Sequence, residues 1–335
     1  MSMIRPGKRL TLIGVAVFVT LATLLSPIPQ TFAQEGSGGG LEISPALVEL
    51  NGDKGKDYTI NLSVTNVTEN ELIFDSMVND FGSKDESGSP GVILNSDTEN
   101  PLSIKTWVND IPEFTLKAGE KRKLTATVSI PGDAIPGGHY GVIRFSGRNP
   151  AAGTDNVNLT ASAGTLILIR VSGDVIEKLE LPTFEATRDG KAGASFEVGL
   201  LTFVTRFENK GTVHVKPVGQ IEIKDMFGNK FDVLPLNTAG GNVLPGSIRR
   251  FEAASDKPFL FGKYTADLTV SYGTTGGAIV QSISFWVIPY KLILIGLVGL
   301  ITVIYILRGL VKRYNSYIIK SANTKHDKKT HNKKK

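Results

Sequence analysis

Few residues in this 335-residue chain could do catalysis or hold a metal. It has no cysteine and four histidines, and only His139 and His214 lie outside the basic C-terminal end. A zinc site would need both histidines plus carboxylates, and the two fall in different halves of the strand pattern. His139 beside Asp133 and Tyr140 could be drawn as a catalytic group. In its Gly-rich setting it reads better as a loop-edge residue. No Gly-x-Ser-x-Gly elbow, phosphate loop or His-Glu-x-x-His motif occurs. The expectation is therefore a non-enzyme with no cofactor and no metal, whose chemistry is binding.

Two features could bind. Asp80, Asp85 and Glu86, with Asp97 and Glu99, sit in a long polar stretch over residues 79–100. It lacks the ligand spacing of a calcium loop, but loops beyond about 15 residues are often functional. Trp107 follows closely. A tryptophan can stack on a sugar ring or anchor an interface, and it can equally fill the core of a sandwich. Asp80, Asp85, Glu86 and Trp107 are the candidate partner-binding residues.

The elements that must position them are strands. Tyr58, Ile60, Leu62 and Val64 alternate with Thr59, Asn61, Ser63 and Thr65, and Leu124, Ala126, Val128 and Ile130 alternate with polar residues. Period two is the mark of a strand with one face on a core and the other in water. Asn51-Gly52, Ala118-Gly119, Pro131-Gly132 and Pro136-Gly137-Gly138 are turn signals between such runs. The run from Leu159 to Val171 closes a first set of strands. A second set follows at 194–207, 213–223, 230–234, 247–253, 264–272 and 278–287. No segment between the chain ends shows a long helical stripe, so the class is all-β.

The ends are of another kind. Arg5, Lys8 and Arg9 precede an uncharged apolar run from Leu10 to Leu25 and a small-residue site ending at Ala33. That is a secretory signal over 1–33, followed by a flexible Gly-rich leader over 34–40. From Val287 to Leu307 the one charge is Lys291, with Trp286 and Tyr290 at the boundary, which predicts a membrane helix over 287–310. The basic tail over 311–335 predicts a cytoplasmic C-terminus. No Leu-Pro-x-Thr-Gly precedes the span, so a membrane anchor is expected, not covalent attachment to the wall.

The net charge of +5 misleads. The signal holds three of the 37 Lys/Arg, and residues from Val287 onward hold eleven of them and one of the 32 acids. The part between keeps 23 bases against 31 acids, a net of −8. Such a surface argues against nucleic acid. The absence of cysteine favours a bacterial surface and hydrophobic cores over a disulfide framework.

The halves look like copies. Ser63-Val64-Thr65-Asn66-Val67-Thr68 is similar to Thr205 through Thr212, and Leu116-Lys117-Ala118-Gly119-Glu120 to Val243-Leu244-Pro245-Gly246-Ser247. Gly138-His139-Tyr140 is similar to Gly262-Lys263-Tyr264. The three pairs occur in the same order. A Gly-x-Tyr opening a late strand suggests the tyrosine corner of immunoglobulin-like sandwiches. Gly138, Tyr140, Gly262 and Tyr264 are thus read as structural turn motifs, and the fold as two tandem immunoglobulin-like β-sandwiches, 41–173 and 174–286.

Val64-Thr65-Asn66, the turn at 116–120, and Ile130-Pro131-Gly132-Asp133 leading to Gly137-Gly138-His139-Tyr140-Gly141-Val142 resemble the WxL-interacting proteins of single-membrane bacteria. The likeness is strongest from Ile43 to Phe145. It implies a signal peptide, two immunoglobulin-like domains, one membrane helix and a short basic tail. It also implies that the first domain binds peptidoglycan and the second binds host or partner proteins. The main expectation is a membrane-anchored extracellular adaptor for cell-wall peptidoglycan or surface proteins. An extracytoplasmic chaperone or assembly factor, which would need an exposed edge strand, stands beside it, with a wall-active enzyme behind both.

Overall fold

The computed structural model describes residues 40–94, 100–150 and 159–331. The signal and nearly all of the leader, 1–39, lie outside the described residues, as do Asp97 and Glu99. The first sandwich uses β1 (Leu41–Ser44), β2 (Leu47–Gly52), β3 (Asp57–Asn66), β4 (Leu72–Ser83), β5 (Pro90–Ile93), β6 (Phe114–Leu116), β7 (Lys121–Ser129), β8 (Gly137–Arg148) and β9 (Leu159–Val171). One sheet has the order β1-β3-β7; the other has β2-β9-β8-β4-β5, with β6 also on β4. The chain crosses from the first sheet to the second between β1 and β2, at the cis Ser44–Pro45 peptide.

The second sandwich uses β10 (Leu179–Arg188), β11 (Lys191–Ala192), β12 (Ser195–Phe196), β13 (Thr202–Asn209), β14 (Val218–Lys224), β15 (Lys230–Leu236), β16 (Ile248–Ala254), β17 (Gly262–Tyr272) and β18 (Gly277–Val287). Its sheets run β11-β10-β13-β16 and β12-β18-β17-β14-β15. The topology repeats. A late strand, β9 or β18, takes a short parallel partner, β2 or β12, on one side and its antiparallel hairpin mate, β8 or β17, on the other. The fold is two tandem immunoglobulin-like sandwiches. β10 had no counterpart in the sequence reading: Glu180, Pro182 and Thr183 break the apolar alternation.

Two of the three repeated motifs are the same structure. Asn66 and Asn209 end β3 and β13, both with no exposed surface. Asn66 Nδ2 donates to the carbonyls of Asn70, Leu116 and Lys117, and its Oδ1 accepts from the Thr68 N–H. Asn209 Nδ2 donates to Val213 and Val243, and its Oδ1 accepts from the Gly211 N–H. Gly119 and Gly246, at φ 72° and 70°, each return an N–H to the asparagine carbonyl at 2.9 Å. A positive φ there requires glycine, and the asparagine amide satisfies carbonyls that water cannot reach.

The third pair is displaced by one residue. Gly137 pairs with Val171 and Gly262 with Val287, so the counterpart of Tyr264 is His139, not Tyr140. A slip of one position moves a side chain to the opposite face. His139 and Tyr264 point into their cores, whereas Tyr140 points out of its sandwich. The corner assignment of Gly138-x-Tyr140 and Gly262-x-Tyr264 is therefore corrected: the Tyr140 hydroxyl bonds across to the second sandwich, and the Tyr264 ring packs on Phe231, Phe259 and Phe285.

The first core is largely aliphatic, with Ile143, Ile167 and Ile169 fully buried around Phe74 and Phe145. The second centres on Phe203, Phe207, Phe259 and Phe285. Beyond it, α1 (Tyr290–His331) is one continuous helix. Residues 290–316 are long and apolar enough to cross a membrane. The helix thus runs past the expected span end at 310 and through most of the expected tail, because Val311, Tyr314, Ile318 and Ile319 continue the apolar pattern.

Candidate functional site: an open strand edge beside an apolar cleft

The sequence candidates do not converge. Trp107 keeps 8% of its surface and lies in the first core, its ring 4.4 Å from that of His139. Its carbonyl accepts the Ser129 N–H, pinning it to β7. It is a core tryptophan, and its assignment as a binding residue is corrected. The polar stretch over 79–100 is mostly a hairpin, with residues 80–83 of β4 paired to β5. Asp80 is buried in a 2.9 Å ion pair with Lys105. Asp85 caps the turn through the Ser87 N–H and hydroxyl, which hold its carboxyl below the usual range. Glu86 grips Arg206 of the second sandwich with both oxygens. Each acid is engaged within the chain, Asp80 through one oxygen while its buried Oδ1 has no partner among the described residues, so the three do not converge on the acidic loop face that the sequence predicts.

Glu86 belongs to a seam between the sandwiches, which lie in one compact unit. Its carbonyl also accepts the Arg250 N–H at 2.7 Å. Across the seam, Glu49 accepts from Lys216 and Asn242. Arg170 pairs with Glu177, which is also bonded by Thr274 and Thr275. Burial pushes the Glu177 carboxyl up, but these donors outweigh it and hold it at about 2. The Tyr140 hydroxyl accepts the His214 N–H at 3.0 Å and lies 3.3 Å from its Nδ1. Burial pushes the His214 imidazole down to about 4 and raises the Tyr140 phenol. Both histidines are thus neutral packing residues at neutral pH. The apolar part of the seam is Phe81, Tyr140, Val142 and Leu168, with Leu102, Leu166 and Leu244 against them.

On one side the seam opens into a cleft cavity of about 220 Å³. Leu47, Phe81, Leu166, Leu168 and Leu244 supply its apolar lining, and Arg249 a single guanidinium. That side chain is held by the Asn242 carbonyl at 2.8 Å and the Phe251 ring, and its Nε is buried without a partner.

The cleft lies where β9 changes from covered to open. β2 pairs with β9 from Leu166 to Val171, and the Leu166 N–H points outward to the Ala46 carbonyl. Backbone direction alternates along a strand, so Gly164 and Ser162 present their N–H and C=O the same way. No described strand covers them. The stretch from Leu159 to Gly164 carries no charge. The outer edge of β7 begins Lys121-Arg122-Lys123, all exposed, the charged guard typical of edges that must not pair. β15 carries Lys230, Asp232 and Pro235, which guard it in the same way. Among the described residues the other long uncharged edge is β18 over 277–285, beyond the two residues that β12 covers. Sequence reading missed the β9 edge, although the lack of charge from 159 to 164 against the basic start of β7 was its visible signal.

No family model matches this chain, and no curated protein does. Solved structures with a similar arrangement include the class 5 fimbriae chaperone CfaA, at 11% identity and a TM-score of 0.38 over 72% of this chain and 98% of that one. The E. coli chaperone DraB gives 16%, 0.32, 75% and 97%, and the periplasmic chaperone SfaE 13%, 0.30, 74% and 100%. Likeness at this distance carries no function across.

Proposed function

We propose that this chain is a membrane-tethered, non-catalytic holder of extended segments of other surface proteins, acting by strand addition at the open edge of β9. The signal expected over 1–33 and the basic tail support a reading in which the sandwiches lie outside the cell. The observation that carries the reading is the edge itself. Ser162 and Gly164 offer outward backbone groups, no charge guards them, and an apolar cleft begins where the open stretch ends. In strand addition, main-chain hydrogen bonds supply affinity and pockets for flanking side chains supply selectivity. The cleft would take an apolar side chain, with Arg249 facing an acceptor. The β18 edge is open too, but the apolar cleft described above begins at β9. This favours assembly factor or protein adaptor over binding of wall glycan, because the buried Trp107 cannot stack on a sugar. The resemblance to WxL-interacting proteins implies peptidoglycan for the first sandwich and protein partners for the second, so the strand-edge reading rests on the geometry of β9 and not on that resemblance.

The test uses a photoreactive residue at position 162 in living cells, with 122 and 280 as comparison sites. A defined protein adduct is expected at 162. Ser162→Pro removes an outward N–H without touching the β8 ladder, a substitution edge strands accept. It should abolish adducts captured from position 47 while thermal unfolding is kept. Adducts only at 280 or 122, or adducts that survive the proline, overturn the reading.

A further inference from the structure

The end of the second sandwich that joins α1 differs from every other end of the molecule. β18 stops at Val287 and α1 starts at Tyr290, so two residues separate sheet from helix. Two residues span at most about 7 Å. The joint is also stitched: the Ile288 N–H donates to the Phe196 carbonyl at 2.8 Å, and Lys291 pairs with Glu197 at 2.8 Å. A helix that enters a bilayer at Tyr290 therefore holds this end of the sandwich at the lipid surface, whichever way the chain is oriented.

That end bears exposed apolar side chains on successive loops. Phe227 is 82% exposed, Phe261 62% and Leu260 60%. The register places them together. Gly262 pairs with Val287, putting Phe261 beside the joint. The Met226 side chain reaches within 3.0 Å of where a Gly262 Cβ would sit, which brings the β14–β15 turn to the same place. Gly199 and Phe259 exchange backbone hydrogen bonds of 3.1 and 2.8 Å, so the loop that carries the exposed Leu200 adjoins the loop that carries Leu260. The Phe227 turn is rigid, since Asp225 Oδ1 accepts the N–H groups of Phe227 and Asn229 at 2.9 and 2.8 Å. A preorganised turn thus holds a phenylalanine at its tip, its side chain open to solvent among the described residues. The turns at the opposite end, 237–242 and 272–276, carry no exposed large apolar residue.

We infer that the second sandwich rests on the bilayer that α1 spans, with Phe227, Leu260 and Phe261 inserted at the headgroup–acyl boundary. Apolar groups of amphipathic surface elements sink about 5–10 Å into that boundary, and the neighbouring Trp286 and Tyr290 are the residue types that favour it. The sandwich is then fixed in height and tilt rather than swinging on its helix. The inference rests on the span, not on the strand-addition reading.

The chain has no cysteine, so single cysteines carry a polarity-sensitive fluorophore cleanly. Full-length protein with Phe227→Cys, Phe261→Cys or Val280→Cys is placed, one chain per disc, in phosphatidylcholine nanodiscs. Val280 is 71% exposed on β18 and lies seven residues, about 23 Å, from the joint. A blue shift and quenching by lipid-borne quencher are expected at 227 and 261, with neither at 280. Water-like emission at all three sites overturns the inference. So does a shift at 227 and 261 that occurs only when two chains share a disc, which assigns the patch to a second copy.

Discussion

The hairpins β8–β9 and β17–β18 are the same element used in two settings. Their registers superpose Gly137 on Gly262 and Val171 on Val287. Inward positions are mostly apolar in both; His139 takes the place of Tyr264, and Thr165 and Gln281 are polar at superposed positions of β9 and β18. The outward positions differ. On β17 they are Lys263, Thr265, Asp267 and Thr269, in or near water. On β8 they begin with Gly138, Tyr140 and Val142, all buried, because the second sandwich lies over them. One hairpin therefore alternates in burial and the other is buried on both faces over its first half. A strand that departs from alternation inside an otherwise half-exposed sheet marks where a neighbour sits. The seam is thus written on the outward face of one hairpin, whereas its copy contributes the Thr274–Thr275 turn.

Substitutions at superposed positions sharpen that contrast. Leu168 and Ser284 correspond, facing Tyr140 and Thr265. Leu168→Ala should cost about 3 kcal/mol, as for a buried leucine, and Ser284→Ala less than about 0.5 kcal/mol, as for a surface site. Denaturant unfolding of the full chain measures both. Equal costs would mean that the seam contributes no stability.

Acid should act through the seam next. The folded His214 pKa of about 4 lies below its ordinary 6.5, so the unfolded chain takes up the proton first. Its contribution is complete above pH 6.5 and is lost as the pH falls towards 4, at up to about 1.4 kcal/mol per pH unit. The corresponding slope should flatten in His214→Gln. A slope that survives this change would belong to His139, whose pKa burial also lowers. Glu177 acts lower still, between 4.5 and about 2.

The smallest expected effect separates the two tyrosines once read as a matched pair. Tyr140→Phe removes an acceptor for the His214 N–H and should cost about 1 kcal/mol, the net worth of one hydrogen bond. Tyr264→Phe should change stability by less than about 0.5 kcal/mol, since its hydroxyl has no hydrogen-bond partner among the described residues. A larger loss at Tyr264 would restore the corner assignment there.

The sequence by itself determined much of this protein. Period-two runs such as Tyr58 to Val64 specify strands because side chains alternate faces, and the Asn66 and Asn209 motifs are local turn chemistry that repeats wherever the turn does. The apolar run after Trp286 specifies a membrane-competent helix through length and composition alone. What depends on pairing partners distant in the chain was decided only by tertiary structure. Whether His139 or Tyr140 faces the core turns on a one-residue register set by β9. Residues 80–83 are strand rather than loop because β5 folds back on them. Trp107 is buried because β7 and His139 close over it, and Glu86 is occupied because Arg206 arrives from 120 residues away. The open edge at Ser162 and Gly164 has the same origin: β2 is six residues long and stops covering β9 at Leu166, a boundary set by where two separate strands meet.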